Sequence, residues 1–99
     1  MKLFDIAHSR AGDKGNTLIL SLIPYREADY DRLCTTVTAE KVKDHLKEIV
    51  KGEVVRYELP NISSLLFVCH NALSGGVTTS LALDTHGKSI SYALLQMEI

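Results

Sequence analysis

The sequence predicts an α+β domain, an antiparallel sheet with helices packed on one face, and three observations carry that prediction. Residues 16–23 and 64–70 are apolar runs of strand length. Residues 38–51 carry apolar side chains at steps of three and four, the period of a helix with one buried face. Residues 53–59 alternate in the manner of a strand whose two faces meet different surroundings.

In chain order, residues 2–8 are apolar-rich and short, and predict a first strand. Residues 9–15, Ser-Arg-Ala-Gly-Asp-Lys-Gly, predict a polar, turn-rich loop. Residues 16–23 predict a buried strand ended by Pro24, so the two strands pair as a long-looped hairpin. A short helix fits Glu27 to Leu33, although its apolar face is thin. The next helix is better marked. Thr38 is a good N-cap, and Glu40 sits where the helix dipole favours an acid. Ala39, Val42, Leu46, Ile49 and Val50 form its apolar stripe, and Lys51-Gly52 its stop.

Residues 53–59 place Val54, Arg56 and Glu58 on one face and Val55, Tyr57 and Leu59 on the other; Pro60-Asn61 closes that strand. Residues 64–70 predict a central strand, with a buried helix as the alternative. Ser74-Gly75-Gly76 breaks the chain. Beyond it two readings stand: a tight hairpin turn at Asp84-Thr85-His86-Gly87, or a short helix over 78–84 that Gly87 ends. The tail fits helical spacing through Ile90, Ala93, Leu94 and Met97, and strand spacing through Ile90, Tyr92 and Leu94. The strand is favoured.

The bulk numbers exclude several classes. With 99 residues, 45% of them hydrophobic and 23% charged, the chain reads as one globular domain over 1–99. A net charge of −1, with Glu40, Asp44 and Glu48 interleaved among Lys41, Lys43, Lys47 and Lys51, argues against nucleic-acid binding. The apolar runs Leu18–Ile23 and Leu65–Cys69 are too short to span a bilayer, and the start lacks a leader's apolar core. Two cysteines make no disulfide framework, so a reducing cytoplasm is the expected compartment. His8, His45, His70, His86, Cys34 and Cys69 show no metal-ligand spacing, and no cofactor is expected.

The richest chemistry lies between His8 and Asn16. An imidazole, a guanidinium, a carboxylate, an ammonium and an amide stand close together, with Gly12 and Gly15 free to adopt positive φ. Arg10 suits a two-pronged contact to a carboxylate or phosphate, with Lys14 as a point charge. His8 suits proton transfer near neutral pH. The plainer alternative is a solvated hairpin loop with Asp13 capping the turn. The spacing is not that of a P-loop, and Gly12-x-x-Gly15 is not a dinucleotide fingerprint. His70 ends a buried run and would converge on His8 if their strands were neighbours; otherwise it is an ordinary edge histidine. The Gly75-Gly76 turn suits an anion if it opens a helix. Cys69 lies in an apolar stretch that mutes a thiol.

The strings AHSRAGDKGN at 7–16, LP at 59–60, FVCHNAL at 67–73, GG at 75–76, SLALDTHGK at 80–88 and LLQMEI at 94–99 resemble the ferredoxin-fold domain of the acyclic terpene utilisation protein A family. The likeness runs from Leu3 to Ile99. It implies a ferredoxin-like fold, favours a strand at the end of the chain, and implies a free-standing version of a domain otherwise fused to a larger one. That family is linked to breakdown of acyclic terpenes through acyl-CoA intermediates. Carried over by position, its motif falls on His8, Arg10, Gly12, Asp13, Lys14, Gly15 and Asn16, with His70, Gly75 and Gly76 as later members.

Three functions follow as expectations. The first is an accessory or ligand-binding subunit, acting with a larger terpene-utilisation-type protein on an anionic acyl or acyl-CoA compound. In it Arg10, Gly12, Lys14, Gly15, Asn16, Gly75 and Gly76 bind ligand. The second is a small hydrolase or lyase with His8, Asp13 and His70 as catalytic residues. The third is a structural module that forms a homo-oligomer.

Overall fold

The computed structural model describes residues 1–72 and 88–99. Its elements are strands β1 (Ala7–Lys14) and β2 (Thr17–Pro24), helices α1 (Tyr30–Thr36) and α2 (Ala39–His45), strands β3 (Val54–Leu59) and β4 (Ser64–Cys69), and helix α3 (Lys88–Leu95). The strands form one antiparallel sheet in the order β1-β2-β4-β3. Each half of the sheet is a hairpin, β1 with β2 and β3 with β4, and the halves join along β2 and β4. The predicted α+β architecture is therefore present, with one hydrophobic core between the sheet and its helices.

Register explains which face is buried. Leu18, Leu20 and Leu22 of β2 pair with Cys69, Phe67 and Leu65 of β4. All six are buried. Leu33, Val42, Leu46, Ile90 and Leu94 from the helices close the same core. Full burial of a leucine or phenylalanine side chain contributes about 1.5–3 kcal/mol, so this double row dominates the fold. Small residues Ala7, Ser9 and Ala11 occupy β1's positions on this face, and they let α3 lie close against β1.

The helix start predicted at Thr38 is observed: its Oγ1 accepts the Lys41 N–H at 3.1 Å. The regular helix ends at His45, short of the predicted Lys51. Beyond it Leu46 accepts from both Ile49 and Val50 at 2.8 Å, so the chain tightens into a turn. Leu46 and Val50 stay buried through that turn, which preserves the apolar stripe. Gly52 then passes against the end of β4. A Cβ there would stand 2.6 Å from the His70 carbonyl oxygen, so the position admits only glycine without a backbone shift.

Two sequence expectations are corrected here. The first strand is not residues 2–8. Leu3–Asp5 form a 3-10 turn, and the strand runs Ala7–Lys14, through the segment expected to be a loop. The hairpin turn is only two residues, with Gly15 at φ +60°. An edge strand with small residues on one side and polar ones on the other lacks the apolar alternation that usually marks a strand. The chain also ends in α3, not in a strand. Ile90, Leu94 and Met97 are buried at helical spacing, and Tyr92, on the proposed strand face, is exposed. After α3 the chain makes one antiparallel bridge, Lys2 to Glu98. The alternatives weighed for residues 78–87 lie outside the described residues.

Candidate functional site

The face of the sheet away from the helices is the place where predicted site residues and uncovered apolar side chains meet. Among the described residues no element packs over it. Three rows cross this face. Arg10, Ser21, Leu66 and Tyr57 form the middle row, each paired with the next. Gly12, Ile19, Val68 and Val55 form the row toward the Gly15 turn. His8 and Ile23 begin the row at the opposite end, on whose far side Leu59 lies opposite Ser64. Arg10 and Tyr57 are exposed, and the aliphatic residues between them are half-buried.

β1 presents His8, Arg10 and Gly12 on this face because of the strand's period of two. Its backbone is fixed there by β2: the Ser21 hydroxyl accepts the Arg10 N–H at 3.2 Å and lies 3.3 Å from the Arg10 carbonyl, to which it can donate. The His8 ring stacks on Tyr25, with centroids 5.4 Å apart and planes 24° from parallel. Tyr25 is itself tied back by its N–H to the Ile6 carbonyl at 2.9 Å. An imidazole braced on an aromatic face two positions from a guanidinium makes a cationic, aromatic edge. No carboxylate stands in the three rows, so an anion at Arg10 meets no like charge there.

The predicted catalytic trio is not assembled. β2 lies between β1 and β4, so the strands carrying His8 and leading to His70 are not neighbours. His8 pairs with Ile23, and His70 follows Cys69, which pairs with Leu18 at the other end of β2. At about 3.4 Å per residue the two histidines are roughly 20 Å apart along the strands. Asp13 sits opposite Leu18, at the His70 end and far from His8. Lys14, Gly15 and Asn16 form the hairpin end, where the Asn16 carbonyl accepts the Ala72 N–H at 2.8 Å. That bond, with His70 N–H to the Glu53 carbonyl at 2.8 Å, straps the chain after β4. Gly75 and Gly76 lie outside the described residues.

Two open clefts among the described residues fall elsewhere. One of about 340 Å³ lies between α2 and the last residues, lined by Glu40, Lys41, Asp44, His45, Met97 and Glu98. His45 Nε2–H donates to the Ala93 carbonyl at 2.6 Å beside it, so this imidazole ties α2 to α3. Another of about 250 Å³ is lined by Pro24, Glu27, Asn61, Ile62 and Ser63. Neither contains a predicted site residue.

A second polar cluster lies on the helix side, and the sequence did not announce it. The Arg56 guanidinium reaches under α1 and donates to the carbonyls of Cys34 at 2.7 Å and Val37 at 3.1 Å. It also pairs with Glu58 at 2.7 Å. The Tyr30 hydroxyl is sealed from water without a hydrogen-bond acceptor among the described residues. Burial, then the neighbouring Cys34 side chain, raises its pKa above the ordinary phenol value. The Ser9 hydroxyl is likewise buried without a hydrogen-bond partner among the described residues. Burial pushes the Cys69 thiol up to about 11, which leaves little thiolate at neutral pH and removes it as a nucleophile.

Among the described residues, no three potential ligand side chains converge as a metal site would require, and no helix is long and apolar enough to cross a membrane. In comparison with known proteins, residues 1–99 match the family model described as the AtuA ferredoxin-like domain. No curated protein and no solved structure matches the chain.

Proposed function

Because this chain belongs to the AtuA ferredoxin-like domain family, we propose that it is a small accessory, ligand-binding subunit that serves a larger partner acting on anionic acyl or acyl-CoA compounds. The observation that carries the reading is Arg10. Its guanidinium is exposed on a rigid strand, beside the braced His8 ring and on a face without carboxylates. A guanidinium so placed offers paired N–H donors to a carboxylate or phosphate. The larger partner meets the domain along the β1 edge, where it supplies the walls that a bare strand lacks.

Binding is favoured over autonomous catalysis because the acid–base candidates are dispersed. His8 and His70 stand at opposite ends of the sheet, and Cys69 is held as a thiol. General acid–base work needs groups within hydrogen-bond reach of one substrate.

Calorimetric titration with an acyl-CoA, with the larger partner present, tests the reading. Arg10→Ala is expected to weaken binding by roughly ten- to a hundredfold, the range of one charge-assisted contact. Arg10→Lys is expected to recover part of that loss. Equal affinity in the wild type and Arg10→Ala removes the site from consideration.

A further inference from the structure

We propose that the uncovered sheet face is the interface for a second copy of this chain, related by a two-fold axis that runs along the strands. Such an axis, lying over the seam between β2 and β4, reverses the order of strands and keeps position along them. β1 of one copy then faces β3 of the other, and β2 faces β4.

The two edges of the face are complementary under that operation. β1 offers Arg10 and Gly12; β3 offers Tyr57 and Val55 at the same levels. Arg10 of each copy therefore meets Tyr57 of the other, a guanidinium over a phenol ring, and the contact occurs twice. Gly12 meets Val55, so the bulkier side chain faces the gap left by the smaller one. Between these pairs Ile19, Ser21, Leu66 and Val68 interdigitate, as in two sheets packed about 10 Å apart. Tyr57 is 51% exposed in the single chain, a large aromatic with nothing over it among the described residues.

The charges select this axis over its alternative. A two-fold perpendicular to the strands would lay β1 on β1 and bring the two Arg10 side chains together with no acid between them. The strand-parallel axis keeps them at opposite edges, about three strand spacings or roughly 14 Å apart. The face spans roughly 19 Å by 20 Å, about 400 Å² of plane before side-chain relief is counted. At about 800 Å² over both copies that lies below stable interfaces and in the range of weak, transient ones, so the association is expected to be reversible and concentration-dependent. Both readings use Arg10: stacking on Tyr57 takes the face of the guanidinium and leaves its N–H edge to an anion, and mass reads the dimer where affinity for an acyl compound reads the ligand.

Sedimentation across a dilution series, without ligand, tests it. The wild type is expected to pass from monomer to dimer. Tyr57→Lys places an ammonium against Arg10 of the other copy and is expected to weaken the dimer by about tenfold or more, whereas Tyr57→Glu offers Arg10 an acid and keeps or tightens it. Arg10→Glu combined with Tyr57→Lys is expected to restore association. Far-UV circular dichroism confirms that each variant is folded. A wild type that is monomeric at every concentration overturns the proposal, as does an equal shift from Tyr57→Lys and Tyr57→Glu. Loss of acyl-CoA binding with the dimer intact would count against the proposed function alone.

Discussion

Phe67→Ala is expected to destabilise the domain by about 3–5 kcal/mol. Phe67 is fully buried at the middle of β4, paired with Leu20 on one side and with Arg56 on the other. It is the largest fully buried side chain, so its removal leaves a cavity that neighbouring leucines fill only in part. Domains of this size have about 5–15 kcal/mol in total, so the loss takes a large share of it. Urea unfolding measures it directly: the midpoint falls while the slope stays constant. A cost below about 1.5 kcal/mol would mean that the core centre is elsewhere.

Arg56→Met is expected to cost about 2–3 kcal/mol, although methionine keeps much of the buried stem. The loss comes from the carbonyls of Cys34 and Val37, which accept the guanidinium's N–H groups at the end of α1. Donors at a helix C-terminus satisfy carbonyls that have no partner within the helix. A charged donor makes such bonds worth about 1.5–3 kcal/mol, and an unmet buried acceptor adds to the cost. Glu58→Gln is expected to cost less than about 1 kcal/mol, because the carboxylate side chain is 54% exposed and water screens the pair. The same urea series measures both. If the two variants cost the same, the ion pair and not the carbonyls holds Arg56 in place.

The elements that were legible in the sequence are those whose local chemistry agrees with their surroundings. Thr38 caps α2 as its side chain predicts, and the apolar run before His70 is the central strand β4. β1 does not look like a strand in sequence because Ser9, Arg10, Gly12 and Lys14 are turn-forming or polar residues by composition. In the structure they satisfy a different need: α3 requires small residues beneath it, and the other side of the strand faces outward. The tail is ambiguous in sequence because Ile90 and Leu94 fit both periods. The helix wins by burying Leu94 and Leu95 together against β1 and the first turn.

The site was legible in its residues and not in its geometry. Arg10 and His8 were singled out by chemistry, and they do share a face. Tyr57 and Leu66 were not, because their place in Arg10's row depends on strand order and register across residues distant in sequence. The same distance separates His8 from His70. No spacing rule within the chain reports that β2 comes between their strands. Arg56 was visible only as a charged residue in an alternating strand. Its partners lie on a helix whose position the sequence left open.

The division of the sheet into two hairpins bears on how the molecule reaches its native state. Each hairpin closes over a short connection and forms early at little cost in chain entropy. The seam of β2 with β4 joins opposite halves of the chain, so its formation is expected to set the barrier to folding. Substitutions along the seam, at Leu20 or Phe67, are expected to act mainly by slowing folding, which stopped-flow refolding measures. Those on the outer strands, such as Ala7 or Val54, are expected to act mainly by hastening unfolding, which would leave the lifetime of a folded molecule to the edges of the sheet.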